Sequence, residues 1–363
     1  MPEHPDDTSQ CIPTAPLGHR PRLGFLGTGW IGRDRMLAIA RSGVAEIVAV
    51  ADPSAPARAA AREALAGLGV RDVHCAATLP ELLASEPDGV IIATPSGMHA
   101  QETLTALAAG ASVFCQKPLG RDLAEVRAAI ATARQHDRLL AVDMSYRRTS
   151  AVEAVRAHLA SGALGRIYAA ELTFHNAYGP DKPWFYRRSE GGGGCLMDLG
   201  CHLVDLLCWL LPARTAEVVT ARCLHRGRPL AEAPEDAVED YATAQLSLPG
   251  GIQARLACSW HLPAGQDAVI GLAIYGTEGG VALHNIAGSF YDFEAVALEG
   301  TGRRQLAAPP DDWGGRQAIA FARQLAGGHA FDPEVERLAG VAAILDAIYA
   351  HAGISRSLAR AAA

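Results

Sequence analysis

The chain lacks several patterns that would assign it to a particular class of protein. Its eight cysteines contain no Cys-x-x-Cys pair and no regular spacing, which argues against a disulfide framework and indicates reduced thiols in a cytoplasmic protein. No apolar run approaches about 20 residues, so we expect no bilayer-spanning segment. The formal net charge is −7 and the basic residues form no clustered stripe. Nucleic acid and anionic membranes are therefore not expected as partners.

The first twenty residues lack the charged start and apolar centre of a secretory signal. They are rich in proline and acidic residues, so we expect 1–20 to be a disordered tail. Cys195, Cys201 and His202 are conceivable zinc ligands, but structural zinc sites usually bring ligands in close pairs. We therefore predict no metal. The chain of 363 residues is 49% hydrophobic, which allows a large core and favours two domains.

From Arg22 to Asp143, short β-like runs alternate with helical stretches. The strand-like runs lie at 22–26, 46–51, near 73, and at 89–93, 112–115 and 139–142. The helical stretches lie at 31–41, 55–66, 79–84, 99–109 and 122–136. Alternation with nearly continuous apolar strands predicts a parallel sheet covered on both faces. We expect residues 21–144 to form a doubly wound α/β Rossmann domain.

The pattern changes after Tyr146-Arg147-Arg148. One helix near 150–160 precedes strand-like runs separated by glycine- and proline-containing turns, at 167–175, 218–224, 242–248, 251–260, 272–275, 281–285 and 290–298. Two late helices are expected at about 314–326 and 334–351. Residues 145–363 are therefore predicted to be an α+β domain built on an antiparallel sheet.

One turn follows the first strand and leads into the first helix: Gly27, Thr28, Gly29, Trp30, Ile31 and Gly32. The first glycine allows a tight turn, the second lets the backbone approach a pyrophosphate, and the third lets the helix lie close to the strand. The helix start offers unpaired N–H groups to the phosphates. The pattern alone is weak evidence, so the context must support it.

That context is Asp52, which ends the second strand twenty positions beyond Gly32. An acid there can accept hydrogen bonds from an adenosine ribose and would repel a 2′-phosphate, so NAD is favoured as cofactor. Arg58 lies farther along and could still admit NADP. The alternative is that Asp52 is a helix cap or turn residue.

Two further loops follow strands of the predicted sheet, at the edge where ligands bind. Thr94-Pro95-Ser96 with His99 follows one strand, and Gln116-Lys117 follows the next. We expect both to be walls of the cofactor site. Thr94 or Ser96 is also expected to cap the following helix.

A glycine run, 191–194, leads into an apolar helical pattern with one polar stripe: Asp198, His202 and Asp205. Unpaired polar groups in a buried helix are costly, so the stripe should line a cleft or satisfy itself internally. Asp198 and His202 can meet across one turn. The alternative is a capping Asp198 and an ordinary core histidine.

We expect Lys117 to lie beside the nicotinamide. Together with Asp198 and His202 it would form a catalytic group suited to alcohol oxidation. The reaction needs a hydride acceptor, a base and a group that stabilises an oxyanion. His202 is expected to titrate near neutral pH and act as the base. Lys117 is expected to have a lowered pKa and to share the proton. Asp198 would orient the substrate hydroxyl or the imidazole. The division of roles between His202 and Lys117 stays open.

The chain resembles the Gfo/Idh/MocA family, the glucose-fructose oxidoreductase and inositol dehydrogenase group, over nearly all of 21–352. The resemblance lies in the glycine turn, Ala93-Thr94-Pro95-Ser96 with His99, Gln116-Lys117-Pro118, Asp198-Leu199-Gly200-Cys201-His202 and the late Ala347-Ile348-Tyr349 helix. It implies a Rossmann domain joined to a large, open-faced, mostly antiparallel sheet. Many members form oligomers through that sheet, so a homodimer or homotetramer is expected. It also implies Lys117, Asp198 and His202 as the catalytic group.

This chain has Gln116 where the family commonly has glutamate. We expect Lys117 to be less strongly biased toward its charged form, with the amide bonding the cofactor. The family's usual substrates are sugars, cyclitols and nucleotide-linked sugars. Other candidate substrate contacts, each also explicable as surface or core, are Tyr146, Arg147, Arg148, His175, Tyr178, Trp184, Phe185, Tyr186, Arg187, Arg188 and His261.

Three functions are compatible with these residues. The first is NAD-dependent oxidation of a secondary hydroxyl of a sugar, aminosugar or cyclitol. The second is reduction of a keto-sugar, possibly nucleotide-linked, with NADPH as an option. The third is a cofactor-binding regulator without turnover, against which the presence of Lys117, Asp198 and His202 together argues.

Overall fold

The computed structural model describes residues 19–355. The tail expected at 1–20 therefore lies outside the described residues except for its last two positions. Within the described part, the strands form two separate sheets, of six and nine strands. The parallel sheet comes first in the chain and the larger sheet second, as the sequence predicts.

The first sheet has the order β3-β2-β1-β4-β5-β6, and all of its pairings are parallel. Its strands are almost completely buried, because helices cover both faces. The strands are β1 (Arg22–Leu26), β2 (Glu46–Ala51), β3 (His74–Ala76), β4 (Gly89–Ile92), β5 (Ser112–Cys115) and β6 (Leu140–Val142). The strand order reverses between β1 and β4, which is where such sheets bind ligands.

Five helices connect these strands: α1 (Trp30–Ser42), α2 (Ala55–Ala66), α3 (Leu79–Leu83), α4 (Ser96–Ala108) and α5 (Leu123–Gln135). Local capping fixes where several begin. The side chain of Ser54 accepts the Ala57 N–H at the start of α2, and Asp122 accepts the Glu125 N–H at the start of α5. No side chain caps α1 or α4. The expectation that Thr94 or Ser96 caps α4 was wrong.

The second sheet has the order β15-β14-β13-β12-β7-β11-β10-β8-β9. Every pairing is antiparallel except that of β7 with β11. Its strands are β7 (Ile167–Asn176), β8 (Glu217–His225), β9 (Arg228–Pro229), β10 (Tyr241–Ser247), β11 (Gln253–Ser259), β12 (Ala268–Gly276), β13 (Gly280–Asn285), β14 (Phe293–Glu299) and β15 (Gly302–Ala307). Alternate residues of β10 are buried against the core, which gives the sheet one covered face.

Five further α-helices lie in the second part of the chain: α6 (Ser150–Ala160), α7 (Arg188–Gly191), α8 (Cys201–Leu210), α9 (Arg316–Gly327) and α10 (Arg337–His351). The segment Leu196–Gly200 before α8 is a π-helix. The helix α9 packs against α1, and its Phe321 lies in the core of the first sheet, 5.5 Å from the ring of Phe114. The last helices thus return to the first sheet. The domain boundary at residue 145 stays a prediction.

One stretch, Arg188–Leu210, is long and apolar enough to pass a test of length and composition for a membrane span. The sequence analysis did not anticipate it. In the fold, 89% of the 18-residue apolar stretch within it is buried inside the protein, as in a core helix. It begins at α7 and contains the π-helix and α8.

Candidate active site

The glycine turn after β1 has the geometry that the sequence predicts. Gly27 has φ of 84°, and a Cβ there would lie 2.6 Å from the backbone of Ala93. A Cβ at Gly32 would overlap the carbonyl oxygen of Gly27, so α1 can start this close to β1 only with glycine. A Cβ at Gly29 would meet nothing within 4 Å. The backbone at Gly29 is therefore open to a ligand at the uncapped start of α1.

Asp52 accepts two backbone hydrogen bonds. Its Oδ2 lies 2.9 Å from the Thr28 nitrogen, and its Oδ1 lies 2.9 Å from the Ser54 nitrogen. The carboxylate therefore ties the glycine turn to the end of β2, and it remains half-exposed. Arg58 donates to the backbone oxygen of Asp52 at 2.6 Å, which places a cation beside the same strand end. The turn role and the cofactor role are compatible.

The loop after β4 is held by buried polar contacts. The hydroxyl of Thr94 donates to Glu102, and burial raises the pKa of Glu102 to about 7. His99 is buried, with Nε2 2.8 Å from the Thr94 oxygen and Nδ1 2.7 Å from the Pro118 oxygen. His99 thus joins the loop after β4 to the loop after β5. Its burial lowers its pKa.

The other members of these loops are placed differently from one another. Pro95 precedes α4, and Ser96, its first residue, is buried. Trp30 and Ile31 begin α1, where Trp30 is 68% exposed. The amide of Gln116 donates to Asp143 at 2.6 Å instead of pointing to an open site. Since that bond commits one side-chain donor to a buried carboxylate, the expectation that the Gln116 amide bonds the cofactor is not favoured.

Lys117 and Asp198 form the centre of the candidate site. The Lys117 Nζ donates to Asp198 Oδ1 at 2.6 Å and to the Asp198 backbone oxygen at 2.8 Å. The expected lowering of the Lys117 pKa was wrong. Burial is the largest single effect and lowers the pKa, but the combined effects of Asp198, Cys201 and Asp143 outweigh it and the pKa is raised. Even with Gln116 before it, Lys117 is held in its charged form.

The π-helix changes the geometry expected around Asp198. A regular helix, as the sequence predicts, would let Asp198 meet His202 across one turn. In the structure Asp198 instead accepts from Lys117 through Oδ1 and from the indole nitrogen of Trp260, at 3.1 Å, through Oδ2. The wider turn rotates Asp198 relative to α8. Sequence reasoning missed Trp260, which lay at the end of a predicted strand with no motif around it.

His202 is buried on α8, with its ring 4.8 Å from the ring of Tyr146 in an edge-on arrangement. Burial and the positive charge of Lys117 place the pKa of His202 well below 6.5. The expectation that His202 titrates near neutral pH was wrong. A neutral imidazole can still accept a proton, so its role as a base remains open. Burial also raises the pKa of Tyr146.

The third member of the polar stripe does not reach the site. Asp205 is buried and forms a two-bond ion pair with Arg147, whose guanidinium lies 4.5 Å from the ring of Trp209. Arg148 donates to Gln317 at 3.0 Å. These arginines join elements of the fold. The predicted substrate contact at Arg147 therefore has little support from its geometry.

Aromatic side chains extend outward from Asp198 and His202. The ring of Tyr186 is 5.5 Å from Trp260 and is 39% exposed. Trp184 stacks on its neighbour Phe185 at 3.7 Å, and Phe185 in turn meets Trp260 edge-on. On the other side Tyr146 lies 5.3 Å from Trp313. Trp184, Phe185 and Tyr186 lie in the short 3₁₀ helix Pro183–Tyr186, and Tyr146 lies in another, Ser145–Arg148.

The α7 segment connects the two halves of the site. The backbone oxygen of Glu190 lies where a Cβ on Gly97 would be, at the start of α4. Arg121 donates to the backbone oxygen of Ser189 at 2.9 Å. These contacts hold α7 and the glycine run 191–194 against the segments that follow β4 and β5, near Lys117. Within residues 19–355 no group of three or more histidines, cysteines or acids could hold a metal ion.

The fold and the site define a class of protein. A parallel sheet with a half-exposed acid at a strand end, a glycine turn and an uncapped helix start fits a dinucleotide. A charged lysine and a neutral histidine beside it suit transfer of a hydride and a proton. This is the arrangement of a nicotinamide-dependent oxidoreductase.

Comparison with known families agrees. Residues 22–144 match the model of an oxidoreductase family with an NAD-binding Rossmann fold, and residues 152–282 match the Gfo/Idh/MocA C-terminal domain. The chain belongs to the Gfo/Idh/MocA family of oxidoreductases. Its resemblance to that family is thus confirmed, and so are its predicted fold class and its use of an NAD(P) cofactor.

Individual relatives differ in activity. The chain is 30% identical to a 1,5-anhydro-D-fructose reductase of Ensifer adhaerens, over 73% of this chain and 76% of that protein. It is also 30% identical to a putative UDP-kanosamine synthase oxidoreductase subunit of Amycolatopsis mediterranei, over 92% and 97%. Levoglucosan dehydrogenase in complex with NADH and L-sorbose has the same fold, with a TM-score of 0.77, 22% identity and coverage of 93% and 97%.

Proposed function

We propose that this protein oxidises a secondary hydroxyl of a sugar, aminosugar or cyclitol to a ketone, with NAD as the acceptor. The observation that carries the proposal is the Lys117–Asp198 pair, 2.6 Å apart at the carboxyl edge of the first sheet and close to neutral His202. Reductases and dehydrogenases of sugars and of inositol among its relatives support the substrate class.

The chain's own groups fit the cofactor. The open backbone at Gly29, the uncapped start of α1 and the half-exposed carboxylate of Asp52 would hold the pyrophosphate and the ribose. The loops at Thr94 and Lys117 would flank the nicotinamide. When bound, that ring supplies the hydride acceptor for oxidation or the hydride donor for reduction.

The side chains divide the remaining work. An ammonium group has three donors, and Lys117 directs two of them at Asp198. The third can bind the substrate oxygen and stabilise negative charge on it. His202, neutral because it is buried, can accept the hydroxyl proton. Asp198, held also by Trp260, keeps the ammonium charged and in place.

The aromatic side chains around the site favour a ring-shaped, largely uncharged substrate. Tyr146, Trp184 and Tyr186 offer aromatic faces, which suit the apolar faces of a sugar ring. Arg147 is occupied by Asp205, so it gives no support for a phosphorylated substrate.

A second function is favoured by Arg58. Because this cation donates to the backbone of Asp52, it lies where a 2′-phosphate of NADP would need a partner. In the reverse reaction charged Lys117 would donate a hydrogen bond to the ketone oxygen and stabilise the charge that develops on it. Reduction of a keto-sugar with NADPH is therefore the alternative.

The test is the absorbance of reduced nicotinamide, with NAD and NADP each offered cyclitols, free sugars, aminosugars, glycosides, sugar phosphates and nucleotide sugars. Turnover of one neutral class with NAD supports the proposal. Activity only with keto-sugars and NADPH would establish the alternative. Cofactor binding without turnover in either direction would favour a non-catalytic regulator and contradict both.

We further propose a cytoplasmic homo-oligomer, a dimer or tetramer, that assembles through the outer face of the second sheet. Six of the seven cysteines in the described part are buried, which suits a reducing compartment. The outer face carries small side chains such as Thr173, Thr243 and Ala273. Sedimentation velocity would show a multiple of 38.1 kDa, and a monomer at micromolar concentration would contradict assembly.

A further inference from the structure

Glu239, which lies two residues before β10, is completely buried beside the start of the π-helix. Its Oε1 accepts hydrogen bonds from the Gly194 nitrogen and the Leu196 nitrogen, both at 2.9 Å. The same oxygen accepts from the Tyr349 hydroxyl at 2.8 Å. Its backbone oxygen accepts from the Cys195 nitrogen at 3.0 Å. One residue thus satisfies three consecutive peptide nitrogens.

These contacts explain two sequence features that the proposed reaction leaves unused. A Cβ at Gly194 would overlap the backbone oxygen of Glu239, and a Cβ at Gly193 would overlap the hydroxyl of Tyr349. The glycine run is therefore needed for close approach to Glu239 and Tyr349, and the late helix α10 brings in Tyr349. Both features converge on the same carboxylate.

A packing role alone is a poor explanation for this residue. Burying a carboxylate costs more than burying an apolar side chain of similar size. The other oxygen, Oε2, has no hydrogen-bond partner among the described residues, and burial raises the pKa of Glu239. What the carboxylate gains is a fit to unpaired N–H groups at the positive end of a helix.

The held peptide leads directly to the catalytic pair. The Asp198 nitrogen donates to the Gly194 oxygen at 3.0 Å, so the peptide fixed by Glu239 forms the first turn that carries Asp198. We propose that Glu239, supported by Tyr349, is a positioning residue that sets the start of the π-helix and thereby brings Asp198 to Lys117. It acts through Asp198 and does not touch the substrate.

The proposal has a readout that does not depend on turnover, because the chain contains only two lysines, Lys117 and Lys182. Protein labelled with lysine carrying ¹³C at Cε will give two signals whose shifts follow protonation of each Nζ. Lys182 has a side chain that is 62% exposed and serves as an internal reference. A Lys117→Met variant assigns the signals.

Several groups set the charge of Lys117. Asp198 on the π-helix, Cys201 on α8 and Asp143 after β6 favour its charged form. Its charge in turn lowers the pKa values of His99 on α4 and His202 on α8. Of these, only Asp198 lies on the turn that Glu239 holds. Displacing Asp198 removes the main group that raises the Lys117 pKa, so that pKa must fall.

In Glu239→Ala we expect the Lys117 signal to titrate about one pH unit or more below its wild-type position, with Lys182 unchanged. Turnover should fall by about 10- to 100-fold, while the affinity for NAD stays within twofold, since the residues proposed to hold the cofactor follow strands of the first sheet. Glu239→Gln keeps an oxygen that accepts the two backbone N–H groups. It should restore both the titration and most of the turnover.

Asn285→Ala is the matched control. Asn285 is also buried and makes three backbone hydrogen bonds, but at the end of β13. This variant should lose stability without moving the Lys117 titration. If Glu239→Ala does not fold, Tyr349→Phe decides the matter, with a smaller shift in the same direction. An unmoved Lys117 signal in the folded variant overturns the proposal, whether or not a substrate has been found.

Discussion

Lys117 and His202 lie in the same site, but Lys117 is held charged and His202 is held neutral. The carboxylate of Asp198, 2.6 Å away, keeps the Lys117 ammonium charged despite its burial. His202 is neutral because it is buried and because Lys117 is positive. Surroundings that push the pKa values of two titratable groups apart give the two groups different roles at the same pH. The structure therefore favours His202 as acceptor and Lys117 as the group that stabilises the oxyanion.

The pH dependence of oxidation follows from this division. The pKa of His202 lies well below 6.5, so the ring stays neutral as pH falls from 8 to 6 and the base remains available. We predict that kcat/KM shows no decline centred near 6.5 over this range. A His202→Gln variant should be slow at every pH. An acid limb at pH 6.5 that disappears in the variant would contradict the neutral-histidine assignment.

Glu102 predicts a pH effect on stability. Burial raises the pKa of Glu102 from 4.5 to about 7. The folded state therefore keeps a proton up to a higher pH than the unfolded state does. The resulting stability is complete below pH 4.5 and is lost as pH rises to about 7. Glu102→Gln should therefore gain Tm relative to wild type at pH 8 but not at pH 4.5. Exposed Glu63→Gln is the control, and an equal difference at both pH values would refute the effect.

At the scale of elements, the glycine turn and the π-helix each place a functional group by bringing backbones close together. Gly32 lets α1 start beside the Gly27 oxygen, and Gly194 lets the π-helix start beside Glu239. Gly29 differs from both, since a Cβ there would meet no protein atom within 4 Å. No contact within the described fold therefore requires glycine at this position, and the backbone at Gly29 is left open.

This difference gives a matched pair of variants. Gly29→Ala adds a methyl group in a backbone conformation that alanine adopts readily, with φ of −62°. It should keep a Tm close to wild type but bind NAD at least about tenfold more weakly, a loss of about 1.4 kcal/mol. Gly32→Ala should lower the Tm. Thermal shift and NAD titration measure both, and unchanged NAD affinity in Gly29→Ala would remove the pyrophosphate from this turn.

The sequence predicted the elements well because their signals are local. The six parallel strands, the glycine turn and Lys117 at a strand end follow from apolar runs and turn residues alone. The contact between Asp198 and Lys117 was inferred only as proximity. The Trp260 bond and the Arg147–Asp205 pair join residues 58 or more positions apart, and the π-helix depends on one extra residue in each hydrogen-bonded turn. Sequence periodicity does not carry that information.

At the scale of the whole molecule, the chain crosses between its two sheets more than once. After nine strands in the second sheet, α9 returns to cover the first, where Phe321 is 2% exposed. The core of the first sheet is therefore completed by residues from near the end of the chain. The cofactor half of the site depends on helix α9 for its stability.

Phe321→Ala tests this dependence. Removing a buried ring from a close-packed core costs about 3–5 kcal/mol in the free energy of unfolding, so we predict a loss of that size. Leu68→Ala, at a side chain that is 41% exposed, should change it by less than about 0.5 kcal/mol. Urea denaturation measures both. Equal small effects would mean that α9 is not part of the first core.

The proposed reaction depends most on Lys117, which is paired with Asp198 and would stabilise the oxygen on the reacting carbon. The most direct measurement is turnover of Lys117→Met beside Lys182→Met, which removes the only other lysine of the chain. We predict that Lys117→Met loses about 10³-fold or more in kcat with NAD affinity nearly unchanged, and that Lys182→Met matches wild type. Turnover of Lys117→Met within tenfold of wild type would contradict a role for Lys117 in the reaction.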